Sequence, residues 1–350
     1  MVTTRTQTNG TTDVESQLAD YRGLVTPLIS RAIPEREPSR HLYDLIRAQV
    51  GRSGKGLRSA ICIATCRAFG GTVEESLPSA AALELLHNAF LVHDDVEDNS
   101  EFRRGRLTLH RQEGIPLAVN VGDAMNALSL RVLKQNLPLL GQERTWRIFD
   151  EFDHMMTETM EGQAMELGWI RDNDCDTTEE DYVLMVLKKT CWYSFIHPSR
   201  IGVIASKDGP SELMPFNRFG YFLGAAFQIH DDLLNLVGNQ KEYGKEINGD
   251  ILEGKRTLML AHLFKSCSGD DKRRLKAFLA KPRSNRLPRE VAWIRSLFER
   301  HGSISYGTEV AQGFARGAQA EFETAYAAAT PGRDLDFLRS LVGYMTSRQV

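Results

Sequence analysis

The sequence lacks a strong charge of either sign and any long apolar run. Its 43 basic and 46 acidic side chains nearly cancel, which leaves a formal net charge of -3. No overall basic field is therefore present to collect nucleic acid or an anionic membrane surface. The longest apolar runs are far shorter than the roughly 20 residues that a membrane-spanning helix needs. The threonine-rich start also lacks the apolar segment of a secretory signal.

Cysteine is scarce as well, with five residues in a chain of 350. The odd number and scattered positions show no disulfide framework. Cys62 and Cys66 could share one helical face as half of a zinc site, but no second pair of Cys or His stands nearby. We therefore interpret the cysteines as buried thiols and expect a reducing compartment, the cytoplasm.

Hydrophobic residues recur every three or four positions along most of the chain. In one stretch they are Ala82, Leu85, Leu86, Ala89 and Phe90, a spacing that is typical of amphipathic helices. Alternating runs joined by Asn-Gly or Asp-Gly turns, which indicate hairpins, are missing. The sequence predicts an all-α fold, with a disordered polar tail over residues 1–16 and one all-helical domain over residues 17–350.

Two acidic motifs follow apolar helical stretches. The first is DDVED, residues 94–98, in which Asp94 and Asp98 share a helical face. The second is HDDLLN, residues 230–235, in which Asn235 stands four positions after the first aspartate. One such motif could be a helix end neutralised by arginine, but a matched pair predicts a cation between buried carboxylates. Hard oxygen ligands on rigid helices suit Mg²⁺, which substrate phosphates usually complete.

Basic side chains in short motifs supply the opposite charge. Lysine and arginine bind phosphate, arginine through two parallel hydrogen bonds. Singly, each of them could be a surface charge. Together with the acidic motifs they predict a cavity for two diphosphates, one chelated by metal and one held by cations. The candidates are Lys55, Arg58, Arg103, Arg104, Lys189 with Thr190, Lys245 and Lys255.

Six segments then occur in a fixed order between residues 54 and 311: GKGLR, LLHNAFLVHDDVEDNSEFRRGRLTLH, KKT, FQIHDDLLNL, GKEINGDILEGKRT and HGSISYGTEVA. In content and order they resemble the motifs of the trans-prenyltransferases, the short-chain polyprenyl diphosphate synthases of the farnesyl/geranylgeranyl type. The resemblance implies an isoprenoid synthase fold, a single-domain bundle of antiparallel helices around a deep central cavity. It also implies a homodimer.

The resemblance assigns roles residue by residue. Mg²⁺, as three ions bound with the allylic diphosphate, would be held by Asp94, Asp95, Asp98, Asp231, Asp232 and Asn235. The allylic diphosphate site would comprise Arg103, Lys189, Thr190, Gln228, Lys245 and Lys255. Isopentenyl diphosphate would be bound by Lys55, Arg58, His87 and Arg104. Asn235 departs from the family pattern, because an aspartate is usual at that position.

The reaction that the resemblance implies is a Mg²⁺-dependent condensation. The allylic diphosphate ionises, and the isopentenyl double bond attacks the resulting cation to form a carbon–carbon bond. Metal and lysines stabilise the charge that grows on the departing diphosphate. The released diphosphate takes the final proton, so no dedicated side-chain base is needed. The expected product is geranylgeranyl diphosphate (C20) or a somewhat longer chain.

Two other functions fit parts of this pattern. A class I terpene cyclase also ionises an allylic diphosphate with Mg²⁺, but it needs no isopentenyl diphosphate site. Its second metal motif would also want Ser or Thr at 235 and Glu at 239, where this chain has Asn235 and Asn239. A non-catalytic regulatory subunit of a prenyltransferase would tend to lose one aspartate motif, and both are present.

Product length is predicted from the two residues that lie four and five positions before Asp94. In the resembling family, bulky aromatics at both positions form a floor that suits a C15 product. Here they are Phe90 and Ala89, so the floor is half open. We expect Phe90→Ala to lengthen the main product by at least one C5 unit and Ala89→Phe to shorten it, as measured by chromatography of the dephosphorylated products.

The alternative is that Phe90 only packs in the core. Phe90→Ala would then lower the free energy of unfolding by about 3–5 kcal/mol and leave the product unchanged. Unchanged product lengths in two folded variants would refute the floor.

Overall fold

A computed structural model describes residues 7–52, 54–238 and 247–346, with side chains from residue 13 to residue 345 in those ranges. Its elements confirm the all-α prediction. In the described ranges, every element other than the two strands of the hairpin described below is helical. The α-helices are α1 (Gln7–Ala32), α2 (Asp44–Gly51), α3 (Leu57–Ala68), α4 (Val73–Glu97), α5 (Leu109–Glu113), α6 (Ile115–Leu133), α7 (Leu137–Arg171), α8 (Glu179–Val186), α9 (His197–Ala205), α10 (Met214–Val237), α11 (Gly249–Glu253), α12 (Leu258–Ser266), α13 (Gly269–Leu279), α14 (Pro288–Arg300), α15 (Ser303–Ala325) and α16 (Arg333–Thr346).

Shorter helical segments of other types join these helices. Ser39–Tyr43 and Leu187–Ile196 are π-helical, and Lys134–Asn136 and Arg283–Asn285 are 3₁₀-helical. We refer to Leu187–Ile196 as the π segment. Within the described ranges, no helix is both long enough and apolar enough to cross a membrane.

Helix α1 begins inside the segment that was predicted to be a disordered tail. It starts at Gln7, so the tail prediction is wrong for residues 7–16. Val14 is 1% exposed and Leu18 is 2% exposed, and the helix packs against α3, α4 and α16. The physical reason is tertiary packing, because the apolar stripe of α1 is covered by helices that come much later in the chain.

A short hairpin is the second departure from the sequence prediction, which anticipated no strands. Phe102–Arg103 pairs antiparallel with Arg106–Leu107. The two turn residues, Arg104 and Gly105, have φ values of 53° and 73°, which are those of a two-residue type I′ turn. Asn-Gly is the usual sequence for this turn, and Arg-Gly replaces it here. The hairpin folds Arg103 back toward the first acidic motif.

Helices α4 and α10 carry the two acidic motifs. Helix α4 begins with a capping box between Thr72 and Glu75, which satisfies amide groups at its first turn. It packs mainly against α6 and α3, whereas α10 packs against α15 and the π segment. The apolar residues of these helices are buried in two hydrophobic clusters. The five cysteines are all buried and free, as the sequence predicted.

The π segment is fixed by close approach of two helices. A Cβ added to Gly162 of α7 would lie 2.9 Å from the Cα of Lys189. A Cβ added to Gly224 of α10 would lie 2.9 Å from the Cα of Cys191. Only glycine allows backbones to approach this closely. The segment that carries Lys189 and Thr190 is therefore held between α7 and α10, and π-helical turns often occur at functional sites.

We expect Gly162→Ala to lower the free energy of unfolding by about 1–3 kcal/mol, because the added methyl group must displace the backbone of the π segment. Gly168→Ala on the same helix is the control, because nothing lies within 4 Å of a Cβ at that position. It should stabilise the protein by about 0.5–1 kcal/mol. Urea unfolding would measure both values. Equal effects of the two substitutions would contradict the close packing of Gly162 against the π segment.

Candidate active site

Arg103 neutralises the start of the first acidic motif. Its Nη2 lies 2.8 Å from Oδ2 of Asp94, and its Nε donates to Oδ1 of Asp95 at 2.7 Å. Asp95 is 5% exposed. Burial works against the guanidinium charge, but the two carboxylates raise the pKa of Arg103 above its ordinary value. The hairpin thus supplies the compensating cation that the buried acids require.

Lys255 neutralises the end of the same motif. Its Nζ lies 2.7 Å from Oδ2 of Asp98 and 3.1 Å from Oε2 of Glu253. Glu253 is also paired with Arg283 at 2.9 Å. Burial disfavours the ammonium group, but Asp98 and Glu253 raise the pKa of Lys255 well above its ordinary value. Lys255 is therefore a charged lysine inside the protein.

Lys189 of the π segment lies between two helices. Its Nζ is 2.5 Å from Oε2 of Glu166 on α7 and 3.5 Å from Oδ1 of Asp94 on α4. These carboxylates raise the pKa of Lys189 against the effect of burial. The neighbouring Lys188 pairs instead with Glu158 at 3.0 Å and with another acid on α7. Of the two adjacent lysines, Lys189 is thus the one that contacts the first motif.

The second acidic motif is held by a chain of hydrogen bonds. Tyr182 donates its hydroxyl to Oδ2 of Asp232 at 2.7 Å, and Gln228 donates Nε2 to Oδ1 at 2.8 Å. Thr190 in turn donates to Oε1 of Gln228 at 2.9 Å. Burial raises the pKa of Asp232 to about 7, while the bonds from Tyr182 and Gln228 oppose that rise. Thr190 and Gln228 therefore orient the second motif.

Asn235, a predicted metal ligand, lines the cavity beside Asp94 and Asp98 and also contacts the protein backbone. It is 2% exposed, and its Oδ1 accepts a hydrogen bond from the backbone N–H of Asp250 at 3.1 Å. Its backbone oxygen accepts from the N–H of Asn248 at 2.8 Å. These bonds tie α10 to the start of α11. Asn235 thus joins the second motif to α11, and its role as a metal ligand stays a prediction.

The two motifs open onto adjacent cavities that share a wall. One cavity lies beside Asp94 and Asp98. The other lies beside Asp231 and Asp232. Lys255 lines both, so the two acidic motifs face one cation-lined region.

The donor chemistry of this region fits Mg²⁺. Carboxylate oxygens are hard ligands, and Mg²⁺ is usually bound by one or two carboxylates that waters and phosphates complete. Over the described ranges, no three His, Cys, Asp or Glu side chains are grouped so as to hold a metal ion.

A second group of predicted residues lies around Tyr193. Nη2 of Arg58 donates to the hydroxyl of Ser194 at 2.7 Å, and its guanidinium lies 4.1 Å from the centroid of the Tyr193 ring. The His87 ring lies 6.0 Å from the same ring. Burial and then Arg58 lower the pKa of His87 well below its ordinary value. Nδ1 of His87 and Nε of Arg58 are buried and have no hydrogen-bond partner in the described structure.

Lys55 and Arg104 lie at the outer side of this group. Nζ of Lys55 contacts the hydroxyl of Tyr344 and lies 3.4 Å from Oε1 of Glu15. Arg104 donates to the backbone oxygen of Arg52 at 3.0 Å. Burial and the nearby Arg103 lower the pKa of Arg104 below its ordinary value. Lys245, the remaining predicted cation, lies outside the described residues.

The two residues of the predicted floor differ in their surroundings. Ala89 is fully buried in the core. Phe90 is half-buried, and its ring makes an edge contact with Tyr193 at a centroid distance of 5.7 Å. Phe90 therefore packs against the same tyrosine that contacts Arg58 and His87. The role of both residues in product length stays a prediction.

Sequence reasoning missed three residues that this site uses. Tyr182 and Glu166 carry no local signal, since they lie 50 and 23 positions from Asp232 and Lys189, their respective partners. Glu253 could have been found, because it stands two positions before Lys255 in a segment already recognised as a motif.

The chain is similar to known proteins over most of its length. The family model described as polyprenyl synthetase matches residues 39–294. A geranylgeranyl diphosphate synthase of Saccharolobus solfataricus is 33% identical over 79% of this chain and 79% of its own length. One from Sulfolobus acidocaldarius is 34% identical over 71% of this chain and 73% of its own. The crystal structure of geranylgeranyl pyrophosphate synthetase from Pyrococcus horikoshii is 28% identical and superposes with a TM-score of 0.84, covering 96% of this chain and 98% of that one.

Proposed function

Because the chain belongs to the polyprenyl synthetase family, we propose that it condenses isopentenyl diphosphate with allylic diphosphates to give geranylgeranyl diphosphate or a somewhat longer product. It is a prenyltransferase. The observation that carries the proposal is the pairing of Lys189 with Asp94 and of Lys255 with Asp98. In this pairing, partly buried cations are in direct contact with acids of the first motif, beside the cavities that the two aspartate motifs line.

This pairing suits an incoming metal diphosphate. The lysines and carboxylates neutralise one another now. A diphosphate would offer oxygens to Lys189, Lys255 and Arg103, and Mg²⁺ would offer positive charge to the carboxylates. Exchanging partners in this way leaves no buried charge unpaired. The site therefore already contains cations for the diphosphate and carboxylates for Mg²⁺ before the ligand binds.

Asp94, Asp98 and Asp231 are the residues that would hold Mg²⁺, as three ions together with the allylic diphosphate. When bound, Mg²⁺ supplies Lewis-acid stabilisation of the charge on the departing diphosphate. The chain contributes fixed donors to the same charge, from Lys189, Lys255 and Arg103. Asp232 supports the arrangement through Tyr182 and Gln228, which hold its carboxylate in place.

Isopentenyl diphosphate would bind at the group around Tyr193. The free Nε of Arg58 and the free Nδ1 of His87 are buried polar atoms, and such atoms are costly without partners. Arg104 and Lys55 would add positive charge. A separate site of this kind is what distinguishes a synthase from a cyclase, which uses a single diphosphate.

Product length and assembly follow from less local features. Phe90 provides one aromatic ring beside the site, and Ala89 provides none, which supports a product longer than C15.

Large apolar residues on α6 and α7 are exposed, among them Ile115, Leu137, Trp146 and Met160. Such a surface suits a second copy of the chain, and the proposed enzyme is a homodimer. Five free, buried cysteines suit a reducing compartment such as the cytoplasm.

The metal role of both motifs predicts a large loss of rate on mutation. Asp94→Ala and Asp231→Ala should each lower kcat by about 100-fold or more, because each removes charge stabilisation used in the transition state. Activity should vanish on chelation and return with Mg²⁺. Asp123→Ala is the control, because Asp123 is an exposed residue on α6 and should change the rate by less than about twofold. A near-normal rate for either motif variant would contradict the proposal that both aspartate motifs bind Mg²⁺.

The second diphosphate site predicts a selective change in KM. Arg58→Ala and His87→Ala should raise the KM for isopentenyl diphosphate more than that for the allylic substrate. Loss of a charge-assisted phosphate contact costs about 1.5–3 kcal/mol, or roughly tenfold or more. Arg67→Ala on the same helix as Arg58 is the control, because Arg67 pairs with Asp334 near the surface. Equal changes for both substrates in steady-state kinetics would argue against two separate sites.

A further inference from the structure

Helix α11 brings charged residues of the site into place, although it has only five residues, Gly249–Glu253. It carries Glu253 and is followed directly by Gly254 and Lys255. So short a helix is not stable by itself, because its nucleation cost exceeds the gain from its few hydrogen bonds. Its position must therefore be set by residues outside it.

The start of α11 is set by Asn235. The Asn235 side chain accepts the N–H of Asp250, and its backbone oxygen accepts the N–H of Asn248. An amide group at the first turn of a helix has no partner within the helix. Asn235 supplies that partner from α10, and the start of α11 is thereby tied to the second acidic motif.

The end of α11 is set by Arg286, which lies just before α14. Its Nη1 donates to the backbone oxygen of Leu252 at 2.7 Å and to that of Ile251 at 3.4 Å. Its Nη2 donates to the backbone oxygen of Leu279 on α13 at 2.8 Å. The guanidinium is packed 5.3 Å from the centroid of the Phe278 ring, and Arg286 is 8% exposed. One buried side chain thus joins α11 to α13.

The turn after α11 is built against the same guanidinium. Gly254 has a φ of 78°, a conformation that favours glycine. A Cβ at Gly254 would lie 2.7 Å from Nη1 of Arg286. The backbone N–H of Lys255 then donates to the oxygen of Asp250 at 2.9 Å. The turn from which Lys255 leaves the helix therefore lies against Arg286 on one side, and Arg256 donates to the Gly254 oxygen on the other.

We propose that Arg286 is a positioning residue for Lys255. It holds the carbonyl end of α11 so that the Lys255 ammonium is delivered to Asp98 and to the allylic diphosphate. This rests on the proposed function, in which Lys255 binds that diphosphate. Arg286 itself is not among the residues that line either of the two site cavities, so it acts through Lys255 and touches no substrate.

A double-mutant cycle between Arg286→Ala and Lys255→Ala tests the proposal. We expect Arg286→Ala to raise the KM for the allylic diphosphate about tenfold and to leave the KM for isopentenyl diphosphate within about twofold. In the Lys255→Ala background, the same substitution should cause no further rise, because the side chain that Arg286 positions is gone. Arg286→Lys keeps one cationic donor and should recover part of the loss.

Arg144→Ala is the matched control. Arg144 also donates its guanidinium to carbonyls at the end of a helix, those of Ala205 at 3.0 Å and Ser206 at 3.2 Å, but at the end of α9. It should lower the Tm and leave both KM values unchanged. If Arg286→Ala does not fold, the cycle is run with Arg286→Lys, for which a smaller but equally non-additive rise is expected.

Three outcomes would overturn the proposal. Additive losses in the two backgrounds would show that Arg286 acts on the fold in general. Equal rises in the KM of both substrates would show the same. An unchanged allylic KM in Lys255→Ala alone would remove the proposed role of Lys255 and, with it, this inference. A normal Lys255→Ala effect with an additive Arg286→Ala effect would leave the proposed function intact and refute only the positioning role.

Discussion

Each buried carboxylate of the first acidic motif has a partner of opposite sign, and this requirement determines how the helices around the site meet. Asp95 and Asp98 are buried beside Arg103 and Lys255, and the partly exposed Lys189 lies between the buried Glu166 and Asp94. A buried carboxylate or ammonium without a partner would cost several kcal/mol. The helices that carry these groups must therefore meet with their ends in register. The fold must therefore bring each of these charges to its partner. In the proposed function, a bound metal diphosphate replaces these partners.

Backbone contacts fix the positions of the charged groups. The π segment lies against Gly162 and Gly224, where a side chain would overlap its backbone. Lys189 can therefore be set close to both α4 and α7, while Lys188, its neighbour, pairs with surface acids. Helix α11 is fixed differently, by hydrogen bonds at its two ends from Asn235 and Arg286. Side chains on rigid or doubly held segments lose little further freedom when a ligand binds.

Asn235, which departs from the family pattern, has a structural contact that the motif alone does not reveal. An aspartate is usual at this position in the resembling family, and a metal role was the natural expectation for the asparagine. Its carbonyl oxygen accepts a backbone N–H of α11, and Asn235 also lines the cavity beside Asp94 and Asp98. The second motif therefore includes an amide that joins α10 to the neighbouring helix, and its role as a metal ligand stays a prediction.

The helical class, the two acidic motifs and most of the cations could be predicted from the sequence, because each depends on residues within a few positions of one another. Helical periodicity and the spacing of Asp94 and Asp98 are local properties. The partner of each charge, in contrast, depends on which distant segments the fold brings together. Tyr182 is 50 positions from Asp232, and Arg286 is 34 positions from Leu252. The start of α1 at Gln7 and the use of Asn235 were likewise decided by distant packing. A buried charge or amide requires a partner, but many residues could supply one, and the choice rests on which of them the fold brings within hydrogen-bonding distance.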